Sequence, residues 1–287
     1  MSASLPRSLP TLFALATLAI AAFAGNSLIA RAALADGAIE AGAYSFIRLA
    51  SGALILLPVL SARPSTKDLP AAFALTIYVA GFSLAYLSLG AGLGAVILFG
   101  FVQATILGIG LLRGEGLGAL GWLGAILAIA GMVWLFAPWQ STSSDGILLP
   151  GALMAAAGIA WGSYTLIGRG SASKAGGATG STARAFLIAS VLAAPMIAID
   201  AEWPSTWGIL LAVASGTITS ALGYIIWYKV APQLGIGTVA SVQLATPIAA
   251  ALGATVLLAE PLTWRFVMGG AVILIGIMLT LIKPSQV

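Results

Sequence analysis

The sequence predicts an all-α integral membrane protein whose ten transmembrane helices form two inverted five-helix repeats. The 287-residue chain is 60% hydrophobic and only 7% charged, with a mean hydropathy of +1.09, whereas soluble domains carry about 25% charged residues. Its apolar runs have the length that crosses a bilayer, about 20 residues. The stretch 92–115 is echoed by 235–263, since both begin Gly-x-Gly-x-Val and carry Val-Gln near the middle.

The residue types that are missing exclude several function classes. The chain contains no cysteine and no histidine, which excludes disulfides, zinc sites built from thiolates or imidazoles, and Ser-His catalysis. The basic residues are scattered singly between apolar runs, so the net charge of +4 sets topology and does not indicate nucleic-acid binding. A phosphate-binding Walker loop is absent, which excludes ATP as the driving force within this chain. We expect no cofactor, no metal and no nucleic-acid partner.

Ten apolar segments are each interpreted as one span. The first is longer than a signal-peptide core and lacks an obvious cleavage site, so we keep it as a span. The charge-free run 69–112 is twice as long as a bilayer requires and must turn, and Gly90, Gly92 and Gly94 predict the turn. The predicted spans are 10–33, 41–61, 70–89, 93–112, 117–137, 147–168, 182–199, 207–230, 236–259 and 264–282.

Lys and Arg in the short loops predict the orientation. The outer segments hold only Arg31 and Arg265 when the N-terminus is placed in the cytoplasm, and they collect most of the acidic residues. An even number of spans then puts both termini in the cytoplasm. The basic residues of the cytoplasmic segments are Arg7, Arg63, Lys67, Arg113, Arg169, Lys174, Lys229 and Lys283.

The two halves of the chain, 1–140 and 141–287, align as repeats. Because each holds five spans, an odd number, the second enters the membrane with opposite polarity, an arrangement typical of transporters that bind substrate where the repeats meet. The glycines of helices five and ten predict close packing, as a scaffold or a dimer surface. The aligned pairs are Arg31 with Arg169, Arg48 with Arg184, Pro58 with Pro195, and Glu115, Gly124 and Gly131 with Glu260, Gly269 and Gly276.

Aromatic residues predict one wall of a central cavity. Tyr78, Phe82 and Tyr86 are spaced four residues apart and share one stripe of helix three. Trp161 and Tyr164 lie on helix six, and Tyr224 is the repeat counterpart of Tyr86. Such a wall suits an aromatic or amphiphilic solute, and packing against lipid or in the core is the alternative.

Polar residues within the spans complete the candidate cavity. Gln103 and Gln243 lie near mid-bilayer, where an unpaired amide costs about 2–7 kcal/mol, so they should face protein or water. They bind substrate or brace neighbouring helices. Asn26 lies on helix one, and Pro247 frees a backbone carbonyl at which a kink would act as a gating hinge.

Charged residues within the spans give the sharpest hypotheses. Arg48 lies about eight residues inside helix two, where a guanidinium would pair with a substrate carboxylate. The alternative is that Arg48 snorkels outward or pairs with Glu40 or Asp36. For Arg184 we expect snorkelling. Glu115 and Glu260 open helices, so we expect them to cap their own helix, with proton coupling as the alternative.

Two aromatic residues are assigned to the membrane surface instead of the cavity. Trp227 and Tyr228 lie beside Lys229, and we expect them to be cytoplasmic interface anchors.

The chain resembles the drug/metabolite transporter superfamily, specifically its EamA-type exporters. The resemblance rests on the five-plus-five layout, on Glu115 and Glu260 at the start of the last helix of each half, and on Trp161-Gly162. The first half departs from the pattern with Ala24-Gly25 in place of Trp-Gly, and it lacks the counterpart of Pro247. Within the family the chain looks most like the bacterial aromatic amino acid exporters of the YddG type.

The resemblance implies an inner-membrane exporter of amino acids, aromatic and other neutral ones, or of related small metabolites. It would work by alternating access as a facilitator, in a lipid bilayer, as a monomer or weak homodimer. A proton-coupled multidrug or metabolite antiporter is the alternative. An intramembrane enzyme would need paired Asp residues, a Ser-His pair or a metal cluster in the spans, and the sequence offers none.

Overall fold

The computed structural model describes residues 9–112, 118–136, 146–170, 177–230, 233, 243 and 245–280. Across these residues the chain is helical and contains no strand. The helices are α1 (Leu9–Leu34), α2 (Ala41–Leu56), α3 (Leu69–Tyr86), α4 (Ala91–Leu112), α5 (Ala119–Phe136), α6 (Leu148–Gly170), α7 (Gly177–Ala193), α8 (Thr206–Ala214), α9 (Gly223–Val230), α10 (Ala245–Leu257) and α11 (Trp264–Thr280).

Seven helical segments among the described residues are long and apolar enough to cross a membrane. One of them, Thr206–Val230, joins α8 to α9 through an eight-residue π-helix, Ser215–Leu222. Three shorter apolar helices accompany them, at Ala119–Gly131, Ala245–Leu257 and Trp264–Thr280. The expectation of an all-helical, multi-pass membrane protein is therefore confirmed, and the count of ten spans stays a prediction.

Prolines end two of the α-helices earlier than the sequence analysis predicts. After α2 the chain continues as a 3₁₀ turn, Leu57–Val59, and after α7 as the 3₁₀ segment Ala194–Ile199, each with a proline in its first turn. Pro58 and Pro195 remove a backbone donor and fix φ, which disfavours continuation of the α-helix. The predicted ends at residues 61 and 199 thus include these tighter turns.

The connection between α3 and α4 is shorter than the three glycines suggest. Gly92 and Gly94 lie within α4, and only Gly90 precedes it. A Cβ at Gly94 would meet the ring of Tyr86, and a Cβ at Gly92 would lie 3.1 Å from Ala251. These two glycines therefore allow close helix packing and do not form the turn.

The strongest helix contacts join the first half of the chain to the second. α3 and α4 pack on α6, α2 packs on α7, and α1 packs on α10 and along the whole α8–π–α9 segment. α5 packs on α11, and at Gly124 and Gly276 the backbone of the facing helix occupies the space that a side chain would need. The glycines of these two helices thus serve as a packed scaffold, one of the two roles predicted for them.

Candidate functional site

A small closed cavity lies where α1, α3, α4, α6 and α9 meet. Its volume is about 10 Å³, close to the space that one water molecule needs. Ligand pockets for small molecules measure about 300–1,000 Å³, so this conformation holds the cavity closed. The lining residues are Phe23, Asn26, Ser27, Tyr78, Phe82, Leu98, Phe99, Trp161 and Tyr224.

Arg48 lies fully buried beside this cavity, with no exposed surface. Its Nε donates to Ser220 Oγ at 3.0 Å, and its Nη2 donates to the Tyr78 hydroxyl at 3.1 Å. Nη1 is buried without a hydrogen-bond partner. The guanidinium carbon lies 5.2 Å from the centroid of the Tyr78 ring and 4.9 Å from that of Phe82, within the range of cation–π attraction.

No carboxylate among the described residues pairs with Arg48. The two ion pairs of that part of the chain are Arg31–Glu260 and Arg184–Asp68. Glu40, one of the acids expected to pair with Arg48, instead accepts hydrogen bonds from the backbone N–H groups of residues 201 and 202. The alternative that Arg48 snorkels or pairs with Glu40 or Asp36 is wrong, because the guanidinium is buried and has no carboxylate partner among the described residues.

Asn26 ties the same cluster to the π-helical segment. Its Oδ1 accepts hydrogen bonds from Ser215 Oγ at 2.7 Å and from Thr219 Oγ1 at 3.1 Å. Its Nδ2 donates to the Tyr78 hydroxyl at 3.3 Å. π-helical turns inside helices are frequent at functional sites, and this one presents three hydroxyl residues to the first half of the chain. Ser215 was not identified from the sequence, although its spacing of four residues from Thr219 was a usable signal.

A chain of aromatic contacts forms the remaining wall. The Trp161 ring lies 4.9 Å from the Tyr78 ring and 4.7 Å from the Tyr224 ring, measured between centroids. Phe23, which the sequence analysis did not single out, contacts the rings of Trp161 and Tyr224 edge-on at 6.0 Å. Four of the six predicted wall residues line the cavity, together with Phe23 of α1; the four are Tyr78, Phe82, Trp161 and Tyr224.

Two of the predicted aromatic residues do not line this cavity. Tyr86 contacts the Phe82 ring, but its hydroxyl donates to the backbone carbonyl of Ala91 at 3.3 Å. Tyr164 packs on Trp161, and its hydroxyl donates to Thr182 Oγ1 at 3.3 Å. Both tyrosines are buried, so they pack against lining residues on the side away from the cavity.

Gln103, Gln243 and Pro247 lie apart from the small cavity. Both glutamines are 1% exposed, and the Nε2 atom of each is buried without a hydrogen-bond partner. Gln103 lines a different, mostly apolar cavity of about 470 Å³ between α4, α5 and α11. Pro247 is the third residue of α10, and residues 234–242 lie outside the described part of the chain. The gating hinge stays a prediction.

Arg184 does not snorkel. It is buried, and its Nε pairs with Asp68 Oδ1 at 2.9 Å. Asp68, which the sequence analysis did not single out, also accepts hydrogen bonds from the N–H and hydroxyl groups of Ser65. The expected outward orientation is wrong because this acid, distant in sequence, meets the guanidinium inside the protein.

Two further expectations are corrected. Trp227 and Tyr228 are 1% and 7% exposed and are therefore core residues and not surface anchors. Glu260 precedes α11 but caps α4, because one carboxylate oxygen accepts from the N–H of Ala91 at 2.9 Å and the other pairs with Arg31 at 2.9 Å. Its counterpart Glu115 lies outside the described residues.

Metal binding finds no support in the described ranges, where no group of three or more acidic residues could hold an ion. The arrangement instead offers a buried cation, spare hydrogen-bond donors and aromatic rings around a closed cavity. Such a set can bind a small aromatic or amphiphilic solute that carries a negatively charged group.

Known proteins resemble the chain along most of its length. Residues 149–282 match the EamA-like transporter family. An uncharacterised protein of Pseudomonas aeruginosa is 43% identical over 273 residues, which are 93% of each chain. An uncharacterised transporter of Archaeoglobus fulgidus is 29% identical over 245 residues, 82% of this chain and 86% of that protein. A solved crystal structure with 18% identity covers 95% of this chain and 98% of its own, with a TM-score of 0.67, and shows a common fold.

Proposed function

Because residues 149–282 match the EamA-like transporter family, we propose that the chain is a transporter of this family and that it exports amino acids, aromatic and other neutral ones, or related small metabolites. The family match points to a transporter and not to an enzyme. The YddG-type resemblance is one source of this substrate class, and the other is the chemistry of the closed cavity. The membrane in this proposal is the bacterial inner membrane, with both termini in the cytoplasm and the protein a monomer or weak homodimer.

The observation that carries the proposal is the buried guanidinium of Arg48, which pairs with no carboxylate among the described residues. A charge within a span is costly and marks a functional site by default. A charged guanidinium within a span needs a compensating interaction. A substrate carboxylate supplies one through charge-assisted hydrogen bonds to the planar guanidinium. The unpartnered Nη1 of Arg48 leaves one such donor available.

The aromatic wall supplies the second recognition element. Tyr78, Trp161 and Tyr224 contact one another beside the cavity, and aromatic rings bind apolar and aromatic side chains through stacking and edge contacts. A substrate with a carboxylate at one end and an aromatic or aliphatic group at the other fits this pair of features. Gln103 and Gln243 remain further candidates for contact with substrate.

Alternating access between two inverted halves, 1–140 and 141–287, is the mechanism we propose. The helix pairings support it, because α3 on α6 has its counterpart in the α8–π–α9 segment on α1, and α4 on α6 has its counterpart in α10 on α1. If each helix is replaced by its counterpart in the other half, the first member of each pair of packings becomes the second. In inverted-repeat transporters, rocking of the halves opens a central site to one side at a time.

Uptake of labelled phenylalanine into liposomes that contain the purified protein, with no ion gradient, tests the proposal. We expect saturable uptake that unlabelled tryptophan inhibits. Arg48→Gln should abolish it, whereas Arg63→Gln, which removes the same charge from an exposed loop residue, should not. Uptake that requires a pH gradient, or inhibition only by a cationic drug, would reject the facilitator and favour a proton-coupled multidrug antiporter.

A further inference from the structure

We propose that the group recognised at the closed cavity is a carboxylate and not an ammonium, so that the substrates include aromatic monocarboxylates with a net negative charge. This inference rests on the proposed function, because it concerns the same site. It goes further in naming the charge that the site selects, and it extends the substrates beyond zwitterionic amino acids to organic anions.

Two oxygens beside Arg48 are already occupied as acceptors. The Tyr78 hydroxyl oxygen accepts from Arg48 Nη2 and from Asn26 Nδ2. The amide oxygen of Asn26 accepts from Ser215 and Thr219. A hydroxyl or carbonyl oxygen offers two lone pairs, so neither oxygen has one left for a substrate ammonium.

The donors of the site are not all used. Nη1 of Arg48 is fully buried with no partner. The Tyr78 hydroxyl accepts two hydrogen bonds in this structure and retains its own hydrogen for donation. The Tyr224 hydroxyl at the cavity also has no partner and can donate or accept, so the buried guanidinium of Arg48 with its unused donor is the feature that favours an anion.

The charges near the cavity agree with the hydrogen bonds. Among the described residues the acids that form ion pairs do so with Arg31 and Arg184, and none pairs with Arg48. The rings of Tyr78 and Phe82 could hold an ammonium by cation–π attraction, but the Arg48 guanidinium already lies against both. A second cation there would be repelled, whereas a carboxylate would be attracted.

Charge selection has a consequence for energy coupling. A transport cycle returns the protein to its starting state, so the net charge moved equals the charge of the substrate. A zwitterion therefore crosses without net charge, and a monocarboxylate carries one negative charge. An inside-negative membrane potential then drives the anion outward, and export needs no proton-coupling carboxylate.

Binding of three ligands with a shared phenyl ring tests the inference. Phenylalanine carries both charges, 3-phenylpropanoate only the carboxylate, and phenethylamine only the ammonium. We expect phenylalanine and 3-phenylpropanoate to raise the melting temperature of the detergent-solubilised protein, with phenethylamine binding at least about tenfold more weakly, the effect of losing one strong polar contact. Arg48→Gln should lose the response to both carboxylates, and Arg63→Gln should keep it.

Transport into liposomes gives the second readout. With valinomycin and a tenfold potassium gradient that makes the interior positive, 3-phenylpropanoate should accumulate about tenfold at steady state, after subtraction of uptake by protein-free liposomes. Phenylalanine should show no such response.

The two readouts separate the inference from the proposed function. Binding of phenethylamine without binding of 3-phenylpropanoate overturns the inference, even if phenylalanine is transported. Uptake of 3-phenylpropanoate that ignores the potential also overturns it. If the carboxylates bind and no transport of any ligand occurs, the proposed function fails while the charge selection stands.

Discussion

Removing the carboxylate of Asp68 should be among the most destabilising single changes in this protein. The side chains of Arg184 and Asp68 are only 7% and 9% exposed, and the atoms Nε and Oδ1 lie 2.9 Å apart. Breaking a buried pair by removing one partner leaves an uncompensated charge and costs about 3–5 kcal/mol. Asp68→Asn removes the charge and keeps one oxygen that can accept from Ser65, while its N–H₂ group replaces the oxygen that accepts from Arg184. We expect a loss of that size in the free energy of unfolding.

Reversible unfolding in mixed detergent and SDS micelles measures this loss. The double variant Asp68→Asn/Arg184→Gln removes both charges, and its loss should be smaller than the sum of the two single losses by about 0.5–3 kcal/mol. Lys67→Gln alters the exposed neighbour of Asp68 and should change stability by no more than about 0.5 kcal/mol. Fully additive single losses, or a loss from Asp68→Asn no larger than that of the control, would refute the buried-pair argument.

Three further changes probe the packing, the site and the opposite ion pair. Gly216→Ala should lower the free energy of unfolding by about 1–3 kcal/mol and reduce transport, because the added Cβ would clash with the backbone of α2. Gly108→Ala is the control: nothing lies within 4 Å of its Cβ, so it should leave the free energy of unfolding unchanged or raise it by about 0.5–1 kcal/mol. Tyr78→Phe removes the oxygen shared by two donors, so substrate binding should weaken and stability should fall by about 1–3 kcal/mol, which thermal melts with and without ligand will measure. Glu260→Gln should lower the free energy of unfolding by at most about 1 kcal/mol but ease opening of its end of the molecule. The chain has no cysteine, so Ala254→Cys, at a 2% exposed residue of the adjacent pocket, should then react faster with a maleimide. An unchanged labelling rate would contradict this.

The sequence was sufficient to predict an all-helical membrane protein, because a bilayer imposes length and hydrophobicity on each span. It was less informative at helix ends. The change from α-helix to 3₁₀ turn at Pro58 and Pro195 follows from proline chemistry that a hydropathy pattern does not register. The π-helical segment Ser215–Leu222 was not predicted, because its hydroxyls bond to residues of α1 and α2, far away along the chain.

Residues of the site were easier to predict than their partners. Arg48 and the aromatic stripe of α3 stand out as polar or large residues in apolar spans, and the structure brings them together. Arg184 was wrongly expected to reach the surface, because its partner lies 116 residues away in the sequence and follows a loop whose position only the folded chain defines. A charged residue within a span can be recognised from sequence, whereas the group that neutralises it depends on tertiary structure.

The two ion pairs impose unequal barriers on the two ends of the molecule. Both join the first half of the chain to the second, and they lie at opposite ends of α3, since Arg31 also donates to the carbonyl of Tyr86 while Asp68 immediately precedes the helix. The side chains of Arg31 and Glu260 are 24% and 22% exposed, so water solvates both ions when they separate, at a cost of about 0–1 kcal/mol.

Separating Asp68 from Arg184 requires water to enter a buried position first, and ions left there without water or a partner cost several kcal/mol each. Because the proposed alternating access needs both ends to open in turn, we expect opening at the Asp68 end to be the slow step of the proposed cycle. Asp68→Asn should therefore accelerate exchange of labelled substrate in the fraction of protein that remains folded, and an unchanged exchange rate would show that another contact holds that end closed.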